Sequence, residues 1–235
     1  MTTLTHQDLQ FVVRRLPKDV RELMQTLPIF VAGGFIRETI AGGDIKDIDL
    51  FGPSKEELSG FAQVLASQRE VKPHRTDNAI TILCPPRLPV QFITRWVFDT
   101  ATPLVQSFDF TVCQAVIWFN RTTYAWQSEI GDAFYSDLAA RRLVYTFPER
   151  EEEAGGSMMR VRKFLARGYN IQASSLAGVI ARVAMKVRME ELPRYEDTPG
   201  GKEKAMAFAI AGLLHEVDPL LVVDGLEPIN EHETV

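Results

Sequence analysis

The chain has 235 residues, 46% of them apolar, with a formal net charge of −5. That length suits one large domain or two modest ones, and the apolar fraction supplies a core without staples. The acidic balance argues against a general nucleic-acid binder, Cys84 and Cys113 belong to no Cys/His cluster of the structural-zinc kind, and no run approaches the ~18 apolar residues of a membrane span.

The first twenty residues contain no basic segment leading into an apolar run, so no signal peptide is expected. Two unpaired thiols fit a reducing compartment, and a cytoplasmic location follows as the expectation. Residues 5–26 read as one or two helices, with Thr5 as N-cap and Pro17 as a break or restart. "IFVA" (29–32) is a short strand, "GGFIRETIAGG" (33–43) is helical in its middle and bracketed by glycines, and "DIDLFG" (47–52) alternates as a strand does. "SKEELSGFAQVLASQ" (54–68) is a helix: Ser54 caps it, Glu57 completes the capping box, and Leu58, Phe61, Val64 and Leu65 form its apolar stripe. "AITILC" (79–84) and "PVQFITRW" (89–96) read as strands joined by a Pro-rich turn. "FTVCQAVIWF" (110–119) fits a strand or a buried helix, and "DAFYSDLAARRL" (132–143) a helix. A charged run at 148–156 marks a boundary, beyond which 157–168, 172–191 and 202–215 are helical and the last dozen residues acidic and loose. Strands and helices are therefore segregated, an α+β arrangement.

Asp47 and Asp49 lie on one face of their strand, because side chains alternate along it. Two carboxylates about 7 Å apart repel, and a core offers nothing to offset that. A divalent metal ion is the leading candidate for the missing positive charge. Magnesium takes carboxylate oxygens together with water and substrate phosphates, and two Asp side chains so placed can hold two ions that clamp the attacking and leaving oxygens of a phosphoryl transfer. Gly33 and Gly34 let backbone N–H groups approach a triphosphate, the following helix points its N-terminus there, and Arg37, one turn in, can fork onto a phosphate.

Gly-Gly, Arg and Asp-x-Asp in this order resemble the signature of the class II nucleotidyltransferases, the CCA-adding enzymes and bacterial poly(A) polymerases. "TDNAITI", "FDFTVCQAVIW", "GDAFYSDLAARRLVY" and "MMRVRKFLARGY" resemble the segments that follow in that family, so the likeness spans residues 29–170. The resemblance implies a DNA polymerase β-like head with a small, five-stranded sheet flanked by helices, followed by an all-helical neck. It implies transfer of a nucleoside monophosphate from an NTP, with ATP expected, to an RNA 3′-hydroxyl, tRNA included, with Mg²⁺ as cofactor and two ions expected. On it, Asp47 and Asp49 are catalytic, metal-binding carboxylates, and Gly33, Gly34, Arg37 and Asp109 contact the nucleotide. The domains expected are a helical segment 1–26, the head 27–147, the neck 157–222 and an acidic tail 223–235.

This chain departs from the family at four places. Glu38 stands for the Asp after Arg37. Gln91 stands near where a third carboxylate is expected, unless it is an ordinary sheet residue. Ser107 and Phe108 replace two arginines, Phe108 being either a base-stacking ring or a core residue. "EAGGS" puts Ala154 and Ser157 where the family reads the base with Asp and Arg. The stretch Ala154–Met189 carries seven basic and no acidic residues, which leaves −12 for the rest of the chain. Arg160, Lys163 and Arg167 recur at i, i+3 and i+7, one helical face. That face is either solvated or set against phosphate. Arg160 and Lys163 are expected at the nucleotide, and Arg167, Arg182 and Lys186 at RNA, with Trp126 or Tyr169 as exposed aromatics that add grip. Trp96 and Trp118 are expected in the core. Alternatives to the RNA reading are a small-molecule or protein acceptor, or a nucleotide-binding module without turnover.

Overall fold

The computed structural model describes residues 2–149, 155–187 and 200–217. The chain forms two compact units, 1–140 and 141–235.

The first unit opens with α1 (His6–Arg15), whose N-cap Thr5 accepts the Asp8 N–H at 3.1 Å. Leu16 leaves the helix in an extended conformation and Pro17, fixed at φ −53°, starts α2 (Lys18–Thr26). There follow β1 (Phe30–Ala32), α3 (Gly34–Ala41), β2 (Ile48–Phe51), α4 (Lys55–Gln68), β3 (His74–Arg75), β4 (Ala79–Ile82), β5 (Val90–Ile93) and α5 (Ala101–Gln106). A 3-10 turn (Thr111–Cys113), β6 (Ala115–Asn120), β7 (Ala125–Ile130) and α6 (Phe134–Ala139) complete the unit. The strands make one mixed sheet in the order β3-β4-β5-β2-β1-β6-β7, in which only β2 and β5 run parallel. The resemblance implied five strands; the sheet has seven, and β3 contributes only two residues.

Alternation along the strands sorts this sheet into two faces. Ile48, Leu50, Ile80, Ile82, Val90 and Phe92 are buried on one side, where α4 packs with Leu58, Ala62, Leu65 and Ala66. Val64, expected in that stripe, is exposed, and the two alanines take the inward positions instead. On the other side Phe30, Ala32, Phe51 and Val116 pack under Ala101, Leu104 and Val105 of α5. The cover over this second face leaves Asp49 and Gln91 half-buried rather than enclosed. A buried ion pair joins α2 to the end of α4: Arg69 donates from Nε and Nη2 to Asp19 at 2.9 and 3.2 Å, and Arg87 adds a third contact at 3.1 Å. "FTVCQAVIWF" is neither wholly strand nor helix, since the 3-10 turn precedes β6. The helix expected over 132–143 is only α6, because Arg141 turns into the left-handed region at φ +46°.

The second unit contains β8 (Arg142–Leu143), α7 (Gly156–Ala166), β9 (Asn170–Ile171), α8 (Ala173–Ala184) and α9 (Gly201–Val217). Among the described residues its regular elements are helices apart from the two-residue parallel ladder of β8 and β9. Tyr145 donates its N–H to Ser175 at 3.1 Å, and Arg182 donates to the Tyr145 hydroxyl at 3.2 Å and the Pro148 carbonyl at 3.0 Å. The boundary run expected at 148–156 lies partly, and the acidic tail wholly, outside the described residues. Tyr169, expected at the surface, is buried edge-on against Phe164 at 5.1 Å. Trp126 is half-buried against Phe119, and Trp96 and Trp118, expected in the core, are half-buried too. Among the described residues no helix is long and apolar enough to cross a membrane.

Candidate active site

Register places the Asp pair at the start of the central strand β2, where β1 passes into α3. Phe30 pairs with Phe51 and Val31 with Leu50, so Asp49 comes level with Ala32 and Asp47 lies two residues beyond. Ile48 and Leu50 are fully buried while Asp47 and Asp49 are half-exposed, which gives both carboxylates the same face. β5 then supplies the neighbour. Gln91 is the direct partner of Asp49 across the parallel ladder, and its Nε2 donates to Asp47 Oδ2 at 3.2 Å. Thr81 on β4 is in turn the partner of Gln91, and His74 on β3 the partner of Thr81. A row of polar side chains thus crosses four strands on the less covered face. Thr81 and His74 carried no signal in the sequence, because a row across strands depends on register alone.

The glycines do different work. Gly33 sits at φ +71°, ψ −121°, a backbone that only glycine adopts easily, and its N–H is taken by the Ala115 carbonyl at 3.0 Å. Its N–H is therefore part of the sheet. Gly34 opens α3, whose first-turn N–H groups have no acceptor within the helix. A Cβ on Gly33 would meet the Phe108 ring at 3.3 Å, whereas one on Gly34 would find the Arg37 Nη2 at 3.6 Å, an ordinary contact. Gly33→Ala is therefore expected to lower folding stability by about 1–3 kcal/mol, and Gly34→Ala to leave it nearly unchanged. Urea unfolding of the two variants measures the contrast, and equal losses would refute it.

Arg37 is 5% exposed and held from three sides. Its Nε and Nη2 contact Glu38 Oε1 at 2.9 and 2.8 Å, and its Nη1 donates to the Cys113 sulfur at 3.3 Å. Here its fork faces Glu38. Phe108 packs edge-on against Phe51 at 6.3 Å and beside Gly33, a wall of the site rather than an exposed platform. Ser107 caps α5, donating to the Leu104 carbonyl at 2.8 Å. Asp109 is buried, immediately before the 3-10 turn that carries Cys113. The junction of β1 with α3 therefore gathers Gly33, Gly34, Arg37, Asp47, Asp49 and Gln91, and Asp109 follows Phe108, whose ring packs beside Gly33. Arg160 and Lys163 are half-buried on α7, Arg167 half-buried as its C-cap, Arg182 half-buried and Lys186 exposed, all in the second unit. Ser157, at the family's base-reading position, is buried, and its hydroxyl has no hydrogen-bond partner among the described residues. Among the described residues no three His, Cys, Asp or Glu side chains converge as a metal cluster.

Residues 3–141 match the family described as "Gabija anti-defense 2 family protein". A curated relative, the Gabija anti-defense 2 protein of Bacillus phage SPbetaL7, is 22% identical over 186 residues, covering 79% of this chain and 44% of its own length. Among solved structures, the Thermotoga maritima CCA-adding enzyme complexed with tRNA matches 93% of this chain and 57% of that chain at 17% identity, with a TM-score of 0.56. An apo form of a CCA-adding enzyme matches 94% of this chain and 55% of that chain at 16% identity and a TM-score of 0.57, and a complex with ATP matches 90% and 50% at 17% and 0.52. The chain thus spans about half the length of the relatives it matches. The class II likeness holds as a nucleotidyltransferase-like fold, while the family that matches is the anti-defence one.

Proposed function

This chain belongs to the Gabija anti-defense 2 family, and we propose that it is a nucleotidyltransferase whose transfer of a nucleoside monophosphate to a hydroxyl counteracts the Gabija defence. The observation that carries the reading is the Asp47–Asp49 pair on one half-exposed face, beside the N-terminus of α3. The donor set fits a hard divalent cation: two carboxylates on one face, open enough to admit water and phosphate. Asp47 and Asp49 would hold it. Such an ion, when bound, neutralises phosphate charge and polarises the reacting oxygens. The first turn of α3 offers the Gly34 N–H and the positive end of the helix to the triphosphate. Arg37, fixed by Glu38 and Cys113, braces that turn from behind.

ATP as donor and an RNA 3′ end, tRNA included, as acceptor are the finer parts of the proposal. They are supported by the likeness to CCA-adding enzymes, one complexed with tRNA and one with ATP, and by the basic run Ala154–Met189. The decisive experiment incubates the protein with Mg²⁺, total RNA and each α-labelled NTP in turn. Label on RNA that depends on Asp49 supports this reading. The anti-defence family favours a second acceptor, a protein hydroxyl of the defence itself. Label that moves to protein in lysate of Gabija-carrying cells, and not to RNA, would replace the first acceptor by the second.

The basic helix face gives a separate test. Changing Arg160, Lys163 and Arg167 together to Glu alters the local charge by six units with little change in helix propensity. If the face meets RNA phosphates, affinity drops and the plot of log K against log salt flattens by roughly 0.7 per lost contact. Filter binding at several salt concentrations, run beside an NTP titration, reads this out. A loss confined to NTP assigns the face to the triphosphate, and no change in either titration makes it a solvated surface.

A further inference from the structure

Gln91 is the side chain that the Asp pair meets across the sheet. It is the ladder partner of Asp49 and donates its amide N–H to Asp47 Oδ2 at 3.2 Å. Its strand neighbours Val90 and Phe92 are fully buried, so the backbone holds Gln91 on the carboxylate face with no freedom to turn away. A third carboxylate at this place would present an oxygen to a second cation. With Nε2 turned to an Asp47 oxygen, the amide keeps for a second ion only a neutral carbonyl oxygen, a weaker magnesium ligand than a carboxylate. An amide nitrogen is not a magnesium ligand, and a second ion needs oxygen donors to offset its own dehydration. Among the described residues no other His, Cys, Asp or Glu completes a set of three.

We infer that Gln91 restricts this site to one divalent cation per chain, in contrast to the two-ion arrangement that the sequence alone suggested. The inference rests on reading Asp47 and Asp49 as the metal carboxylates. Gln91 is on this view a positioning residue: its N–H holds the Asp47 carboxylate and partly offsets the repulsion between the two Asp side chains when no ion is bound.

The test counts Mn²⁺ bound to the full chain in the presence of α,β-methylene ATP, by equilibrium dialysis and by electron paramagnetic resonance. The wild type is expected to bind one Mn²⁺ with an uncoupled six-line spectrum. Gln91→Glu is expected to bind two, with the broadening of spin-coupled ions and an affinity for the second ion about tenfold or more above wild type. It should also melt lower than wild type without metal and recover with Mn²⁺. Gln91→Leu, which removes the amide without adding a carboxylate, should stay at one ion. Two coupled ions in the wild type overturn the inference whatever the variants do, and so does a Gln91→Glu variant that folds and still binds one. If Asp49→Ala binds as much Mn²⁺ as the wild type, the metal reading of the Asp pair fails, and the proposed function loses its main support with it.

Discussion

Asp49→Asn and Asp47→Asn are each expected to lower the rate of nucleotidyl transfer by a hundredfold or more, about 2.7–4 kcal/mol of lost transition-state stabilisation. The amide keeps the shape of the side chain and removes the charge, so what is lost is the grip on a cation rather than the packing of β2. Ile48 and Leu50 on the buried face are untouched. Thermal stability without metal should change little, because the amide matches the carboxylate in size and leaves the buried side of β2 intact. The two changes should not add: once one carboxylate is gone the site no longer works as a unit, so the double variant should be no worse than the poorer single one. Single-turnover transfer with labelled NTP in Mg²⁺ measures the rates. Near-wild-type turnover in either variant would place the chemistry elsewhere.

The second large effect concerns the fold. Arg69 has a side chain with 0% exposure, and Asp19, at 20%, takes two of its N–H groups. Asp19→Ala leaves that guanidinium buried without its counter-charge, which is expected to cost about 3–5 kcal/mol. Nη1 of Arg69 already has no hydrogen-bond partner among the described residues, so little remains nearby to compensate. Replacing both partners, as Asp19→Leu with Arg69→Met, should recover most of the loss, because two apolar side chains need no counter-charge. Burial pushes the Asp19 carboxyl up, but the hydrogen bond and charge of Arg69 outweigh it and hold the group below its ordinary 3.8. A carboxyl depressed in the folded state contributes stability above its unfolded pKa and loses it as pH falls through the folded one. Stability should therefore be flat between pH 7 and about 5 and fall below about 4, more steeply in the wild type than in the double variant. Urea midpoints across that range decide the matter, and parallel pH profiles would show that the pair contributes nothing of this kind.

Where local chemistry decides structure, the sequence was legible. Ser54 and Glu57 announced the start of α4, Thr5 the start of α1, and alternation in "DIDLF" the strand and the shared face of the carboxylates. Reading failed where a neighbour decides. Val64 fits the helical period yet points outward, because the small Ala62 and Ala66 let α4 lie close to the sheet. β7 has one buried residue among its middle four, Ser128, and no apolar rhythm; pairing with β6 along its whole length makes it a strand. α5 carries Pro103, which a pattern search takes as a breaker, but within the first turn Pro removes no helical hydrogen bond. At the site, residue types were readable and their partners were not. That Arg37 reaches Cys113, that Gly33 gives its N–H to the sheet, and that Gln91 reaches Asp47 all depend on register between segments far apart in the chain.

The parallel pairing of β2 with β5 has a consequence in time. Parallel strands cannot be joined by a tight turn, and here the crossover between them holds α4, β3 and β4. Asp47 and Gln91 are 44 residues apart in sequence, so their contact forms only after that whole crossover has closed. Closing such a loop costs entropy before the contact rewards it. A nascent chain that has not yet emerged beyond residue 89 holds both carboxylates but lacks the strand that flanks them. On the function proposed above, competence for metal and nucleotide thus waits on the closure of β5 against β2.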